Sequence, residues 1–333
     1  MRKVFSVADM RNLRAESIRA TVVVPSRNRR TLLEKQVDCL LAQETAGFDY
    51  EIVVVNDGST DDTAEYLRRK AAECPRFRAI HRPVPGSNQA RNDGVRAARG
   101  VLVLFTDDDC EAPPGWVRSY VEAFDARPRA GGIYGPVTCP RDGITPRTRQ
   151  IVASRPHSLY YSCNIGYRRA TLDAVGGFDG RVPFSFGDVG LAARVLEISE
   201  IAWVPSVTTV HPPRPRRYRS RAQWRDTLFG EWTLWCRSPE FYRRTRGPNF
   251  LIGVLANWVV GSTVKYLLRH RRWALRTPVD NLVFAVSVVA DKLRLLRVLP
   301  GFLADPVPGR RVTGTRVRGT EWTPRVDPAI AGD

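Results

Sequence analysis

Three consecutive aspartates, Asp107, Asp108 and Asp109, follow the apolar run Val101–Phe105 after a single threonine. Neighbouring buried carboxylates are costly unless a cation compensates their charge, and carboxylate oxygens are ligands that suit Mg²⁺ or Mn²⁺. Such a metal typically bridges protein carboxylates to a diphosphate and stabilises it as a leaving group. An exposed acidic turn or a helix N-terminus would carry the same three residues, so the pattern alone leaves both interpretations open.

Two further motifs place polar residues near the ends of predicted elements. In VVVNDGSTDDT (residues 53–63), Asp57-Gly58 predicts a tight turn after a strand, and the carboxylate suits a nucleotide base or a ribose. In GSNQARNDGVRAARG (residues 86–100), Arg91 on a predicted helix would lie near phosphates. The alternatives are a turn that only caps a helix and a helix with a solvated arginine face.

Hydrophobic patterning predicts the elements that must position these motifs. Short, β-branched apolar runs indicate strands buried on both faces, with helices between them. The predicted strands are Thr21–Val24, Ile52–Val55, Phe77–Ile80 and Val101–Phe105, and the predicted helices are Thr31–Ala42, Thr60–Glu73 and Ser87–Arg99. This alternation predicts an α/β, doubly wound, mostly parallel sheet, which binds its ligands at the carboxyl ends of the strands. The polar motifs, including residues 26–29, fall at those ends.

Between residues 131 and 210 the pattern is mixed and predicts a partly antiparallel part of the sheet. Predicted strands are Ile133–Val137, Tyr160–Ile165 and Ile201–Val204, and predicted helices are Arg169–Val175 and Asp188–Ile198. Strands that do not alternate cleanly with helices cannot all be joined by right-handed crossovers, so antiparallel neighbours are expected here.

The composition is globular but strongly basic. The 333 residues are 43% hydrophobic and 26% charged, with a formal net charge of +18. From His211 onward there are 23 Lys and Arg against 9 Asp and Glu, so most of the excess lies in the last third. Such a surface attracts nucleic acid, anionic lipid or phosphorylated substrates. The six cysteines have no C-x-x-C spacing and the N-terminus lacks an apolar leader, which favours a reduced, cytosolic protein without a zinc site.

The C-terminal third is rich in Pro, Arg and Trp. HPPRPRRYRSR (residues 211–221) predicts a linker or basic loop, and the helical segments that follow carry five tryptophan and tyrosine residues between 224 and 258. The apolar stretches Phe250–Leu268 and Asn281–Ala290 are marginal or short for a membrane span. Interleaved aromatic, basic and apolar residues favour a helix in the membrane interface. A soluble helical cover on the catalytic domain is the alternative, and the Pro/Gly/Arg-rich segment from Asp305 predicts a loose tail.

Taken together, these motifs closely resemble the family 2 glycosyltransferases with the A-type fold. The resemblance rests on VVVPSRNR (22–29), NDGSTDDT (56–63), ARNDGVRAARG (90–100), FTDDD (105–109) and CNIGYRRATLDAVGGFDG (163–180), which occur in the family's order. It covers residues 20–211. It implies a nucleotide-diphosphate sugar donor (a UDP-, GDP- or dTDP-sugar), Mn²⁺ or Mg²⁺, and inversion at the anomeric carbon.

The resemblance also implies roles for individual residues. Asp57 would meet the nucleotide base in a pocket lined by Pro25, Arg27 and Asn28, and Arg91 would lie near the base or phosphates. Asp107 would contact the ribose or the metal, and Asp109 would hold the metal on the diphosphate. The donor-binding set is completed by the neighbouring residues Gly58 and Asp108. His211 is a candidate further metal ligand, with a structural or solvated histidine as the alternative.

The family's general base lies in a Glu-Asp-x-Asp-Leu block, and the matching stretch here is Gly187-Asp188-Val189-Gly190-Leu191. Only Asp188 keeps its carboxylate, so the resemblance implies that Asp188 is the base. Its alternative role is to cap the helix that starts there. The glycines at 187 and 190 leave open a catalytically degenerate protein that binds nucleotide sugars.

We therefore expect an inverting, metal-dependent glycosyltransferase acting on an acceptor hydroxyl, such as that of a lipid-linked carrier, a glycan or a secondary metabolite. The expected regions are an N-terminal extension (1–19), a catalytic domain (20–211, divided at residue 109 into donor and acceptor sides), a helical, basic, membrane-interfacial appendage (212–304) and a tail (305–333). We expect a cytoplasmic protein, peripheral on the inner face of the cell membrane and without a nucleic-acid partner. A sugar-nucleotide pyrophosphorylase is disfavoured because residues 25–28 lack its Gly-rich phosphate loop. A nucleic-acid-binding protein would leave the aspartate cluster unexplained.

Overall fold

The computed structural model describes residues 18–140, 142, 148–149, 151–156, 159–182, 186–215, 220–261 and 278–304. These residues form two compact units. The first contains the described residues up to 182 together with Gly187–Pro215, and the second contains Phe186 and the described residues from 220 onward. The predicted N-terminal extension and the tail lie outside the described residues, apart from residues 18 and 19.

A seven-stranded sheet forms the centre of the first unit, in the order β3-β2-β1-β4-β8-β5-β9. Its strands are β1 (Ala20–Ser26), β2 (Tyr50–Asp57), β3 (Phe77–Arg82), β4 (Leu102–Phe105), β5 (Ala130–Tyr134), β8 (Ile165–Arg168) and β9 (Glu200–Trp203). Strand β8 is antiparallel to β4 and β5, and the other neighbouring pairs are parallel. The predicted mostly parallel sheet with an antiparallel part is therefore confirmed.

Helices cover both faces of this sheet, which explains why the strands are uninterrupted apolar runs. They are α1 (Arg30–Leu41), α2 (Thr63–Glu73), α3 (Ser87–Ala97), α4 (Trp116–Asp125), α5 (Arg169–Ala174) and α6 (Gly187–Ile198). Along β1, Val22 and Val24 pack in one apolar cluster while Val23 packs in another, as expected when successive side chains point to opposite faces. All three are fully buried.

Strand β1 continues through Pro25 to Ser26, beyond the predicted end of this strand at Val24. Val23 accepts a hydrogen bond from the backbone of Thr106 on the β4 side, and the β1–β4 register ends at the Val23–Phe105 pair. Because backbone groups alternate sides along a strand, Pro25 faces that same side, beyond the end of the pairing. Its missing N–H therefore interrupts no ladder, and β1 and β4 separate from this point.

Two short ladders complete the unit: β6 (Val137–Thr138) with β10 (Thr209–Val210), and β7 (Thr148–Arg149) with β11 (Arg214–Pro215). The predicted strand Tyr160–Ile165 is wrong in position, because the strand starts at Ile165. Tyr160 has a positive φ of 44°, which an extended strand does not accept. Asn164 is held instead by its side chain, which donates to the carbonyls of Pro136 and Val207.

The second unit is helical. It consists of α7 (Arg221–Arg237), α8 (Pro239–Thr245), α9 (Phe250–Val254), which continues as a π-helix at Leu255–Gly261, and α10 (Pro278–Ala304). Its core is an aromatic and aliphatic cluster that includes Trp224, Trp232, Phe250 and Phe302. Among the described residues, no helix has the length and apolar character to cross a membrane. Residues 262–268 of the predicted apolar stretch lie outside the described residues.

Candidate active site

The polar motifs meet at the carboxyl edge of the sheet, where β1 lies between β2 and β4. The chain adds β2 and β3 on one side of β1 and β4 on the other, which makes this edge a topological switch point. At such a point the loops after two neighbouring strands diverge and leave a crevice. Residues 26–29 follow β1 and residues 106–109 follow β4, so both predicted motifs border this crevice.

The loops after β1 and β2 are tied together by Asn28. Its side-chain oxygen accepts a hydrogen bond from the Thr60 backbone at 2.7 Å, and its own N–H donates to the Ser59 hydroxyl at 3.0 Å. Asn28 has a φ of 52°, a conformation that asparagine tolerates better than most residues. Pro25 is half-buried at the end of β1, whereas Arg27 is exposed in the loop.

Asp57 lies at the end of β2 and is buried. Both its oxygens accept the backbone N–H of Gly86, at 2.8 and 2.9 Å, and Arg82 donates to one of them at 3.2 Å. Gly58 follows with a φ of 69°, and a side chain there would press against Pro85. The carboxylate is thus fixed between β3 and the start of α3, while its contact with a base stays a prediction.

The aspartate cluster is paired with arginines from three other parts of the chain. Arg91 on α3 donates to Asp107 at 2.9 Å, and Arg29 donates to Asp108 at 2.9 Å and to Asp109 at 3.1 Å. Ser26 also donates to Asp108, at 2.8 Å. Burial raises the pKa of the Asp108 carboxyl above its usual range, and the Arg29 charge and hydrogen bonds oppose that rise.

Asp109 receives a second guanidinium from Arg214, which contacts the same carboxylate oxygen, Oδ2, as Arg29. Burial lowers the pKa of Arg214 to about 10, and the nearby Arg29 charge adds to the lowering. Arg214 therefore stays protonated at neutral pH. The sequence predicted that a metal ion compensates the charge of these carboxylates. Within the protein itself, arginine side chains provide most of that compensation.

The other oxygen of Asp109, Oδ1, is buried and has no hydrogen-bond partner among the described residues. His211 Nε2 lies 3.5 Å from it, and the Cys110 thiol completes a group whose ligand atoms lie within 4.8 Å of one another. The His211 ring is oriented by its Nδ1, which is 3.0 Å from the Pro212 carbonyl. An unpaired buried carboxylate oxygen facing an imidazole nitrogen suits a divalent cation. The residues present therefore fit the predicted metal at Asp109 and His211.

Asp188 lies in the first turn of α6 and is half-buried. Its two oxygens accept the backbone N–H groups of Val189 at 3.0 Å and Ser162 at 3.4 Å. Burial raises the pKa of the Asp188 carboxyl; the Arg91 charge opposes this rise and the Asp107 charge adds to it. A raised carboxyl pKa is compatible with a general base, and this role of Asp188 stays a prediction.

Helix α3 joins the two sides of the site. Asn88 donates to the carbonyls of Val182 and Asp179, at 2.6 and 3.3 Å, and Asn92 exchanges two hydrogen bonds of 2.8 Å with the backbone of Phe178. The same helix presents Arg91 to Asp107. The loop that follows the paired glycines 176 and 177 is thus fixed to the helix that contacts the aspartate cluster.

The two glycines that replace acidic residues in the base block differ in environment. A Cβ on Gly187 would overlap the side-chain oxygen of Asn88, whereas a Cβ on Gly190 would meet no atom within 4 Å. A side chain at Gly187 would therefore displace the Asn88 side chain of α3 from its present position. Gly190 leaves open space beside the helix.

Sequence reasoning missed several residues of this site. Ser26 and Arg29 lay in a motif of which only Pro25, Arg27 and Asn28 were given a role, and Arg214 was part of a segment interpreted as a linker or basic loop. Cys110 follows the aspartates directly, but an isolated cysteine gives no signal. The proximity of Arg214 to His211 in the chain was the one available clue.

Comparison with known proteins identifies the family that part of the chain matches. The model of glycosyl transferase family 2 matches residues 21–182. Residues 21–182 are a family 2 glycosyltransferase domain. The predicted family and enzyme class are confirmed at this level. The matched segment contains Asp57, Arg91 and the aspartate cluster, whereas Asp188, His211 and Arg214 follow it.

Individual relatives agree with this assignment. The chain is 38% identical over 89 residues to the uncharacterized glycosyltransferase EpsJ of Bacillus subtilis, a match that spans 27% of this chain and 25% of that one. It is 24% identical over 292 residues to glycosyltransferase AglE of Haloferax volcanii, covering 83% of this chain and 92% of the relative. The first match thus covers about a quarter of the relative's length.

Among solved structures, a mannosyltransferase from Pyrobaculum calidifontis, PcManGT, in complex with GDP-Man and Mn²⁺ has a similar fold. The TM-score is 0.54 at 20% identity, and the alignment covers 84% of this chain and 87% of that one. At this identity the likeness establishes the fold. The predicted A-type glycosyltransferase fold is therefore confirmed.

Proposed function

We propose that the chain is an inverting, metal-dependent glycosyltransferase that moves a sugar from a UDP-, GDP- or dTDP-sugar to an acceptor hydroxyl. The observation that carries this proposal is the convergence of four carboxylates, Asp107, Asp108, Asp109 and Asp188, with three guanidinium groups at the switch point of a family 2 domain. The relative solved with GDP-Man and Mn²⁺ supports both the donor class and the metal.

The charges of the site favour a divalent cation with the donor. Four carboxylates against three guanidinium groups leave no net positive charge for a diphosphate, so donor binding requires an additional cation. Asp109 and His211 would hold Mn²⁺ or Mg²⁺. Asp107 would lie on the side of this ion that faces the ribose of the donor. When bound, the metal would neutralise charge that develops on the leaving diphosphate.

Asp188 is the proposed general base. It accepts the proton of the acceptor hydroxyl while that oxygen forms a bond to the anomeric carbon. The bond from that carbon to the diphosphate oxygen breaks on the opposite side, the nucleoside diphosphate leaves, and the configuration inverts. No covalent sugar–protein intermediate is needed.

The test is Asp188→Asn, which removes the base and keeps the shape of the side chain. We expect loss of transfer by about 100-fold or more, with Mn²⁺-dependent binding of UDP or GDP unchanged. In the wild type, kcat should fall as the pH drops through the raised pKa of Asp188, because the protonated carboxyl cannot accept the acceptor proton. Asp173→Asn, an exposed carboxylate on α5, is the matched control and should behave like the wild type.

Wild-type transfer by Asp188→Asn would rule out its role as the base. Asp109→Ala should behave differently, since it should also weaken Mn²⁺-dependent donor binding. Donor binding by Asp109→Ala that equals the wild type would contradict the metal assignment.

We also propose that the helical unit lies on an anionic membrane surface on the cytoplasmic side. On α10, Val289, Leu293, Leu296 and Leu303 are exposed and repeat at helical spacing on one face, while Leu295, Val298, Leu299 and Phe302 are buried in the unit's core. Exposed Arg294 and Arg297 flank the apolar face. An apolar stripe bordered by arginines has the composition of an interfacial helix, and its charge complements anionic headgroups.

A further inference from the structure

Arg214 and Arg29 converge on a single oxygen of Asp109. The Asp109 side chain is 7% exposed, and the Arg214 side chain is 19% exposed. One guanidinium nitrogen of Arg214, Nη2, is buried and has no hydrogen-bond partner among the described residues. Two like charges thus share one carboxylate oxygen, and one of them keeps an unused buried donor.

This arrangement of two guanidinium groups on one carboxylate oxygen is energetically unfavourable in two respects. Two guanidinium groups that approach one oxygen repel each other, and an unsatisfied buried N–H costs free energy that a further acceptor would recover. A planar guanidinium with an unused donor is well suited to a phosphate, which accepts two parallel hydrogen bonds. An anion with several oxygens would therefore suit this unused donor of Arg214.

Arg214 also competes with the proposed metal. His211 and Arg214 lie on the same segment after β10 and face Asp109 together, His211 at Oδ1 and Arg214 at Oδ2. A cation bound to Asp109 would lie close to the positive charge of Arg214 and would be repelled by it. Metal and Arg214 therefore oppose each other on this carboxylate unless a second anion takes up the guanidinium.

We propose that Arg214 is an internal counter-ion of Asp109 that shifts to the donor diphosphate when the donor binds. This inference rests on the proposed function and adds a role for a residue outside the matched family segment. The predicted consequence is that metal binding and donor binding are thermodynamically linked. Metal binds weakly alone, because Arg214 occupies its carboxylate, and binds better with the diphosphate, which gives Arg214 a new partner.

The test is Arg214→Gln, which removes the charge and keeps hydrogen-bonding capacity. Mn²⁺ binding without nucleotide, followed by the electron paramagnetic resonance signal of free Mn²⁺, should become about tenfold tighter, equivalent to about 1.4 kcal/mol. Binding of UDP or GDP at saturating Mn²⁺, measured by calorimetry, should become about tenfold weaker. Opposite changes in two affinities are not the result of general misfolding.

Two further variants make the experiment decisive. Arg129→Gln makes the same charge change at an exposed position before β5, at the opposite edge of the sheet, and should leave both affinities unchanged. Arg214→Lys keeps the positive charge but lacks the planar set of donors of a guanidinium group. It should raise Mn²⁺ affinity less than Arg214→Gln. It replaces Arg214→Gln if that variant does not fold, and a Mn²⁺ affinity equal to or below the wild type would then overturn the proposal.

The outcomes separate the two proposals. The counter-ion proposal would be overturned if Arg214→Gln bound Mn²⁺ no more tightly than the wild type. It would also be overturned if Mn²⁺ binding became tighter while nucleotide binding stayed unchanged. In either case the proposed function would stand if the wild-type enzyme transfers sugar. A wild-type chain that binds neither UDP nor GDP with Mn²⁺ would instead reject the proposed function, and the inference with it.

Discussion

At the scale of single residues, burial decides which charged groups carry energetic weight. Glu51 is buried at the start of β2 and accepts hydrogen bonds from Thr21, Arg78 and Arg99. Burial raises the pKa of this carboxyl, but the hydrogen bonds from Arg99, Thr21 and Arg78 lower it more. Its stabilising contribution is present at neutral pH and is lost as the pH falls through the folded-state pKa.

Glu231 in the helical unit shows the opposite behaviour. It is fully buried, and burial raises its pKa from 4.5 to about 7, although the nearby Arg246 charge and the polar groups of Trp258 and Tyr242 oppose that rise. The folded state therefore holds a proton that the unfolded chain has lost between pH 4.5 and pH 7. The free energy of unfolding of this unit should fall as the pH rises through that window.

We predict that Glu231→Gln removes this pH dependence, because the amide stays neutral. At pH 8 the variant should be more stable than the wild type by up to about 3 kcal/mol, and near pH 4 the two should be equal. Urea unfolding followed by tryptophan fluorescence measures the difference. Glu240→Gln, at a position 80% exposed, is the control and should show no such gain. Equal stability of Glu231→Gln and the wild type at pH 8 would contradict the assigned pKa.

At the scale of elements, α3 is the helix that couples the donor and acceptor sides. One helix carries Arg91 toward Asp107, and Asn88 and Asn92 toward the loop before α6. Its approach to α6 is close enough to exclude a side chain at Gly187. The geometry of Asp188, in the next position, therefore depends on α3 as well as on α6.

The glycines of α6 should respond in opposite ways to the same change. Gly187→Ala would push against Asn88 and loosen the loop that it holds, with a cost of about 1–3 kcal/mol. Gly190→Ala enters open space in a helix interior and should stabilise the protein by about 0.4–1 kcal/mol. Thermal unfolding of the pair compares the two directly. If both variants were equally stable, the packing of α3 on α6 would not be the reason for Gly187.

At the scale of the whole molecule, positive charge is concentrated in the last third of the sequence. The segment from His211 has a surplus of basic residues, and the helical unit exposes both arginines and a stripe of leucine and valine on α10. The proposed membrane contact therefore has an electrostatic and an apolar component. These can be separated by experiment, since salt and lipid charge act only on the first.

We expect the full chain to sediment with vesicles that contain phosphatidylglycerol and to bind less to vesicles of phosphatidylcholine alone. The double variant Leu293→Ser/Leu296→Ser should reduce binding to anionic vesicles about tenfold or more, since two exposed side chains lose their apolar contact with lipid. Ile198→Ser, which changes an exposed apolar residue of the first unit, is the control. Binding that is unaffected by the double variant would exclude α10 as the contact surface.

The amino-acid sequence by itself determined the central sheet, its flanking helices and the position of the polar motifs. Apolar runs such as residues 52–55 and the helical segments between them specify local structure, and the parallel topology brings their carboxyl ends to one edge. Boundaries were less accurate. The strand expected at Tyr160–Ile165 is displaced because the conformation of Tyr160 and the side-chain hydrogen bonds of Asn164 overrode β-propensity.

Only the tertiary structure decided how the charges are paired. Arg29 and Arg214 are distant from Asp109 in sequence, and no local pattern indicates which of the many arginines reaches a given carboxylate. Long guanidinium side chains find their partners through the fold of the connecting loops, which depends on contacts throughout the domain. The predicted metal site therefore emerged as a cluster already compensated by arginines, with one buried carboxylate oxygen left facing His211.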